Sequence, residues 1–198
     1  MIAIRYLLAL VLGAVIGILS AAWVSGLIPG MKAFATRNVD IEGWGGNLSV
    51  GKDSANPWVR AWVARHGLLA LAREEAVYFT RSVDDAGLPL TERCRYRMEG
   101  GAQPARWWSV TLYDAKSRLP MNEDAALSVD ATTAGRGNWR AIIAAERPAG
   151  SEMWISSRNG DRFDLTLRLY QPEADVPTAP ATSVKPPRIE RLDCREGA

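Results

Sequence analysis

RWWSVTLY, residues 106–113, decides the fold. Read at a period of two, it sends Trp108, Val110 and Leu112 to one side and Trp107, Ser109, Thr111 and Tyr113 to the other, the alternation of a strand with one buried face. Outward from it the same period returns. Ala76, Tyr78 and Thr80 alternate with Val77, Phe79 and Arg81. Cys94, Tyr96 and Met98 alternate with a row of Arg93, Arg95 and Arg97 that reads as a solvated face. Phe163, Leu165, Leu167 and Leu169 form one apolar edge of FDLTLRLYQP, residues 163–172. Shorter strands are expected over 139–144 and 153–156. Asp84-Asp85-Ala86-Gly87 with Pro89 supplies turn chemistry, so the run from Leu90 to Met98 is expected to return on 75–81 as an antiparallel hairpin. Many short strands with frequent turn signals predict a mainly β fold: an antiparallel sandwich, jelly-roll-like, with one or two short helices.

The strands are flanked by segments of other character. From Tyr6 to Ile28 the chain has 23 residues without a charge, enough to span a hydrocarbon core that needs roughly 20. A cleaved signal has a shorter apolar stretch, and although Ser20-Ala21-Ala22 resembles a cleavage site, the run continues through Trp23, Val24, Leu27 and Ile28. Residues 1–30 therefore read as a transmembrane anchor. Within it Gly13 and Gly17 have the spacing that lets two membrane helices pack closely, although glycine is common in such helices anyway. Arg5 on one side competes with Lys32 and Arg37 on the other, so charge alone leaves the orientation open.

Residues 31–56 are glycine-rich and read as a juxtamembrane connection with one short strand near Leu48. Asn56-Pro57 starts a helix that places Trp58, Val59, Trp62 and Val63 on one side and stops near Gly67, with a second helical piece over 68–74. Residues 57–171 form the β-sandwich domain. Residues 172–198 form a proline-rich tail, in which five prolines between Pro172 and Pro187 argue against helix and central strand.

Cys94 and Cys194 lie too far apart for a metal-binding pair and are expected to form a disulfide that pins the tail to the core. That pairing needs an oxidising compartment and favours the periplasm; two reduced thiols in a cytoplasmic domain is the alternative. Beyond Pro29 the chain carries 23 basic and 22 acidic residues, so it lacks the basic stripe of a nucleic-acid binder.

Chemistry is sparse. His66 is the only histidine, placed where it would cap a helix end, and it leaves no nucleophile–base pair and no metal ligand set. No cofactor, metal or catalytic residue is expected. Glu74/Glu75 and Asp84/Asp85 are the carboxylate pairs available to an enzyme, but they read as a helix end and a turn. The candidate ligand-binding surface is Trp107, Ser109, Thr111 and Tyr113, an aromatic-and-hydroxyl face able to stack on a sugar ring, unless a second sheet covers it and makes it core.

RWWSVTLYD at 106–114, Leu119-Pro120-Met121-Asn122 and FDLTLRLYQP together resemble a bacterial family, domain of unknown function family 1214. The similarity extends upstream to Asn56-Pro57 and downstream to Pro187 and Cys194. The resemblance implies an envelope-associated β-sandwich, often joined to another domain of unknown function, family 1254, and it supplies no activity. Here a membrane helix stands where that partner domain would be, so a separate envelope protein is the implied partner.

The expectation is a non-catalytic, single-pass inner-membrane protein whose C-terminal domain lies in the periplasm. It would bind a partner protein or an envelope glycan or lipid. The alternative is a carboxylate-dependent enzyme acting on such a glycan or lipid.

Overall fold

The structure is a computed structural model that describes residues 2–24, 37–51, 57, 60, 71–135, 137–150 and 153–195. An apolar helix, α1 (Ile2–Val24), precedes ten strands: β1 (Val39–Ile41), β2 (Trp44–Gly46), β3 (Ala76–Arg81), β4 (Cys94–Gly100), β5 (Ala105–Asp114), β6 (Ser128–Asp130), β7 (Trp139–Ala144), β8 (Met153–Ser156), β9 (Phe163–Pro172) and β10 (Arg188–Cys194). Two single-turn helices, α2 (Ala131–Ala134) and α3 (Pro180–Ser183), follow β6 and β9. Of the helices expected after Asn56, Pro57 and Arg60 are helical, Trp58, Trp62, Val63 and His66 lie outside the described residues, and 71–74, where the second helix was expected to end, lead into a turn over 73–75 instead.

The strands form a six-stranded sheet, β1-β2-β3-β9-β5-β6, and a four-stranded sheet, β10-β4-β7-β8. Their axis is the β5–β9 ladder. Trp108, Val110 and Leu112 stand directly opposite Leu169, Leu167 and Leu165, and none of the six is more than 3% exposed. β3 adds Val77 and Phe79 to that face; the second sheet closes it with Tyr96, Met98, Ala141, Ile143, Ile155 and Ile189. Trp108 stacks on Trp139 across the gap at 5.0 Å between centroids. Burying each leucine stabilises by about 1.5–3 kcal/mol, so the period-two runs specify the inner faces. The pattern is mainly β, two layers, as expected, except that β7 and β8 pair in parallel.

The hairpin expected between 75–81 and 90–98 does not form. β3 has β2 on one edge and β9 on the other, so no edge is free for β4. The loop closes with Asp84 N donating to Leu88 O at 2.9 Å and Leu90 N to Ser82 O at 3.0 Å. The chain then crosses to the second sheet, with Glu92 N donating to Asp161 O at 2.8 Å.

The glycine-rich connection also differs from expectation. Instead of one strand near Leu48, β1 and β2 make a hairpin whose turn residues Glu42 (φ 51°) and Gly43 (φ 86°) both have the positive φ of a type I′ turn, and Trp44 is fully buried.

The tail is more ordered than an extended segment. Pro180 begins a helical turn, where its missing N–H costs nothing, and Val176 and Val184 enter the core. β10 then pairs with β4 and brings Cys194 opposite Cys94 in a disulfide. On the outer face of that sheet the arginine row is solvated and paired: Arg95 with Asp193 at 3.3 Å and Arg97 with Glu190 at 2.8 Å.

Candidate functional site

Because Trp108, Val110 and Leu112 face the second sheet, Trp107, Ser109, Thr111 and Tyr113 face away from it. Register aligns them in rows with residues of β9 and β3: Trp107 with Tyr170 and Ala76, Ser109 with Arg168 and Tyr78, Thr111 with Thr166 and Thr80, and Tyr113 with Asp164.

The four candidates do not act alike. Trp107 is 36% exposed, its ring 5.4 Å from that of Tyr170, and its Nε1 donates to Thr132 Oγ1 at 3.1 Å. Thr132 is held by α2, whose N-cap Asp130 accepts from Thr132 N and Thr133 N, so the indole is fastened to a capped turn. Ser109 and Thr111 are buried. Arg168 donates from Nη1 to Thr111 Oγ1 at 3.3 Å and from Nη2 to Tyr113 Oη, with its Cζ 5.1 Å from the Tyr113 ring centroid. The Thr80 and Thr166 hydroxyls pair at 3.1 Å. The Thr111 and Tyr113 hydroxyls are thus spent within the sheet, Ser109 is buried, and the exposed feature is Trp107 beside half-buried Tyr170. Tyr170 and Arg168 were missed as site residues because the β5–β9 register is a long-range fact. The alternation of FDLTLRLYQP does place both opposite the leucine face.

Asp164 is the unexpected group. Burial, reinforced by the charge of Asp114 and opposed by Arg37, pushes its carboxyl from 3.8 up to about 7. Burial also pushes Asp114 up, but the N–H groups of Arg118 and Lys116 and the Arg118 guanidinium together outweigh it and hold that carboxyl below its ordinary value. Between about pH 4 and 7 the folded protein keeps a proton on Asp164 that the unfolded chain has released. This contribution to stability is therefore full below pH 4 and lost as pH rises toward 7. Asp164→Asn is expected to flatten the stability profile across that window, read from urea midpoints; an unchanged slope would assign the titration to another group.

The other carboxylates are structural. Asp84 is paired with Arg191 Nε at 2.6 Å, and Asp85 with Arg81 at 2.9 Å and with Ile189 N at 3.1 Å. Glu75 accepts from Ala72 N, and Glu74 pairs with Arg73. Among the described residues no cluster of three or more His, Cys, Asp or Glu could hold a metal ion. Gly13 and Gly17 lie on α1 with open space around their Cβ positions. Shallow open grooves mark the surface, one of about 580 Å³ between Val39, Leu48 and the 177–182 segment.

The α1 segment Ile2–Trp23, with mean hydropathy 2.5, has the length and composition of a signal or an anchor, and the disulfide fits an extracytoplasmic location. A family model described as "Protein of unknown function (DUF1214)" matches residues 75–174, a narrower span than the resemblance drawn from Asn56 to Cys194. Among solved structures, the VPA0106 protein from Vibrio parahaemolyticus is similar at 20% identity with a TM-score of 0.56, over 71% of this chain and 36% of that one. An uncharacterized protein from Burkholderia cenocepacia is similar at 17% identity with a TM-score of 0.40, over 59% of this chain and 29% of that one. At these identities the likeness to the Vibrio structure is one of fold. The chain spans about a third of the length of the structures it matches. No curated protein sequence matches it.

Proposed function

The chain belongs to the DUF1214 family of proteins of unknown function, and from that premise we propose that it is a non-catalytic, membrane-tethered envelope protein. It engages a partner protein or an envelope glycan or lipid. In this reading α1 is a single-pass anchor in the inner membrane and the sandwich lies in the periplasm. The apolar α1, whose one charge is Arg5 near its start, and the Cys94–Cys194 bridge support that placement.

The observation that carries the reading is the Trp107–Tyr170 corner, where exposed Trp107, fastened by Thr132, packs on half-buried Tyr170. Rigid, partly exposed aromatics bind with little loss of side-chain entropy and dominate recognition surfaces.

The test is a cross-linking pull-down of the full-length protein from intact envelopes, with the cysteine redox state read in the same sample. Trp107→Ala is expected to cut capture about tenfold, equivalent to about 1.4 kcal/mol, while the denaturation midpoint stays nearly unchanged. Equal capture by both proteins, or a loss that follows unfolding, defeats the reading.

The enzyme alternative has one observation in its favour: burial pushes the Asp164 carboxyl up to about 7, the range in which a general acid works. A second acid is required on the same face, and the nearby Asp114 is bound into the turn to Arg118.

A further inference from the structure

Two ends of the six-stranded sheet compete to face the membrane. One carries Ala76, Trp107 and Tyr170. At the other, the loop after β5 presents Leu119 and Met121, the latter 87% exposed.

The direction of β1 separates them. Val39 is level with Gly46 and therefore with Phe79, and Ile41 is paired with Trp44 further along, so β1 runs away from the Trp107 end. Just before it, Asn38 N donates to Gly46 O at 2.9 Å, and the Asn38 amide binds Leu48 N and Ser49 Oγ. The chain arriving from α1 therefore joins the sheet from the Ala76–Tyr170–Trp107 end. Only residues 25–36 separate Val24 from Arg37, which limits the tether to roughly 40 Å even when fully extended. A domain so held samples its own bilayer at high effective concentration.

We infer that the Trp107–Tyr170 end of the sandwich rests on the lipid interface of the protein's own membrane. This rests on the anchored reading above and names the occupant of that corner. Trp107 and Tyr170 sit at the headgroup–acyl boundary, where an aromatic ring with one polar edge is favoured. Trp23, near the end of α1 and 46% exposed, occupies the same boundary, and Arg106, exposed at the start of β5 and bonded to Gln171 Oε1 at 3.0 Å, gives that end a positive charge. The Leu119–Met121 loop points away from the bilayer.

The test uses the full-length protein in phosphatidylethanolamine–phosphatidylglycerol vesicles carrying acyl-chain nitroxides. A fluorescent thiol label is placed in turn at Arg106→Cys, Met121→Cys and Val11→Cys, with the Cys94–Cys194 bridge intact. The label at 106 is expected to be quenched about twofold or more and the label at 121 not at all. Adding Trp107→Ala should remove most of the quenching at 106. Quenching at 121 instead of 106, no quenching at either, or quenching at 106 that survives Trp107→Ala overturns the inference while strong quenching at Val11 leaves the anchor standing. An unquenched Val11 overturns the anchor, and the inference with it.

Discussion

Replacing both cysteines by alanine is expected to lower the unfolding free energy by about 3–4 kcal/mol, read as a shift of the urea midpoint and reproduced by reductant on the unmodified protein. The bridge closes a loop with a sequence separation of 100 residues. For a loop of that length, the chain entropy removed from the unfolded state amounts to about 4.7 kcal/mol, an upper value because unfolded chains retain some structure. Alanine suits Cys94, which is buried and would turn a serine hydroxyl into an added cost. Fold collapse is not expected, because β10 keeps its ladder with β4 and Ile189 stays in the core. A midpoint shift worth less than about 1 kcal/mol would mean that the remaining contacts of β10 hold the tail without the bond.

Asp84→Ala is expected to cost about 3–5 kcal/mol, the range for removing one partner of a buried ion pair. The Asp84 side chain is fully buried and does three things. It binds Arg191 Nε at 2.6 Å, and its Oδ1 accepts from Ala86 N at 3.0 Å and Leu88 N at 2.9 Å. Arg191 also donates to Pro89 O at 2.8 Å and lies over the Tyr96 ring at 5.4 Å. Truncating Asp84 strands that guanidinium beside apolar surface and opens the turn that carries the chain from one sheet to the other. A double variant with Arg191→Met should recover part of the loss, since a neutral side chain of similar length needs no counter-charge. A cost below about 1 kcal/mol would show that water replaces the carboxylate. The carboxylate pair weighed for catalysis in the sequence thus fastens β10 to the loop after β3, with Asp85 binding Ile189 N beside it.

Much of the fold was legible before any coordinates. The inner faces of β5 and β9 follow from alternation alone, because a residue on the wrong face would exchange a leucine's burial for a threonine's. The disulfide was legible from two cysteines without metal spacing. Strand partners were not. The turn at 84–89 has good hairpin chemistry, yet β3 was already paired on both edges. Gly43, Gly45 and Gly46 read as punctuation, whereas Gly46 lies so close to Phe79 that a Cβ would sit 2.8 Å from its ring. At the candidate site, Trp107 was found from its own strand. Tyr170, Arg168 and Asp164 join it through a register between segments more than fifty residues apart.

What the amino-acid sequence by itself determined is local: an apolar helix long enough for a bilayer, strands with one apolar side, turns where glycine and aspartate demand them, and a cysteine pair. These depend on the chemistry of neighbouring residues, which any short window contains. The tertiary structure alone decided that 76–81 and 94–100 belong to different sheets and that the proline-rich tail ends in an edge strand. It also decided that Ser109 and Thr111 are closed off while Trp107 stays exposed, and that burial raises Asp164. Each of these is set by which edges are already occupied and by how much water remains around a group, quantities that exist only once distant segments have packed.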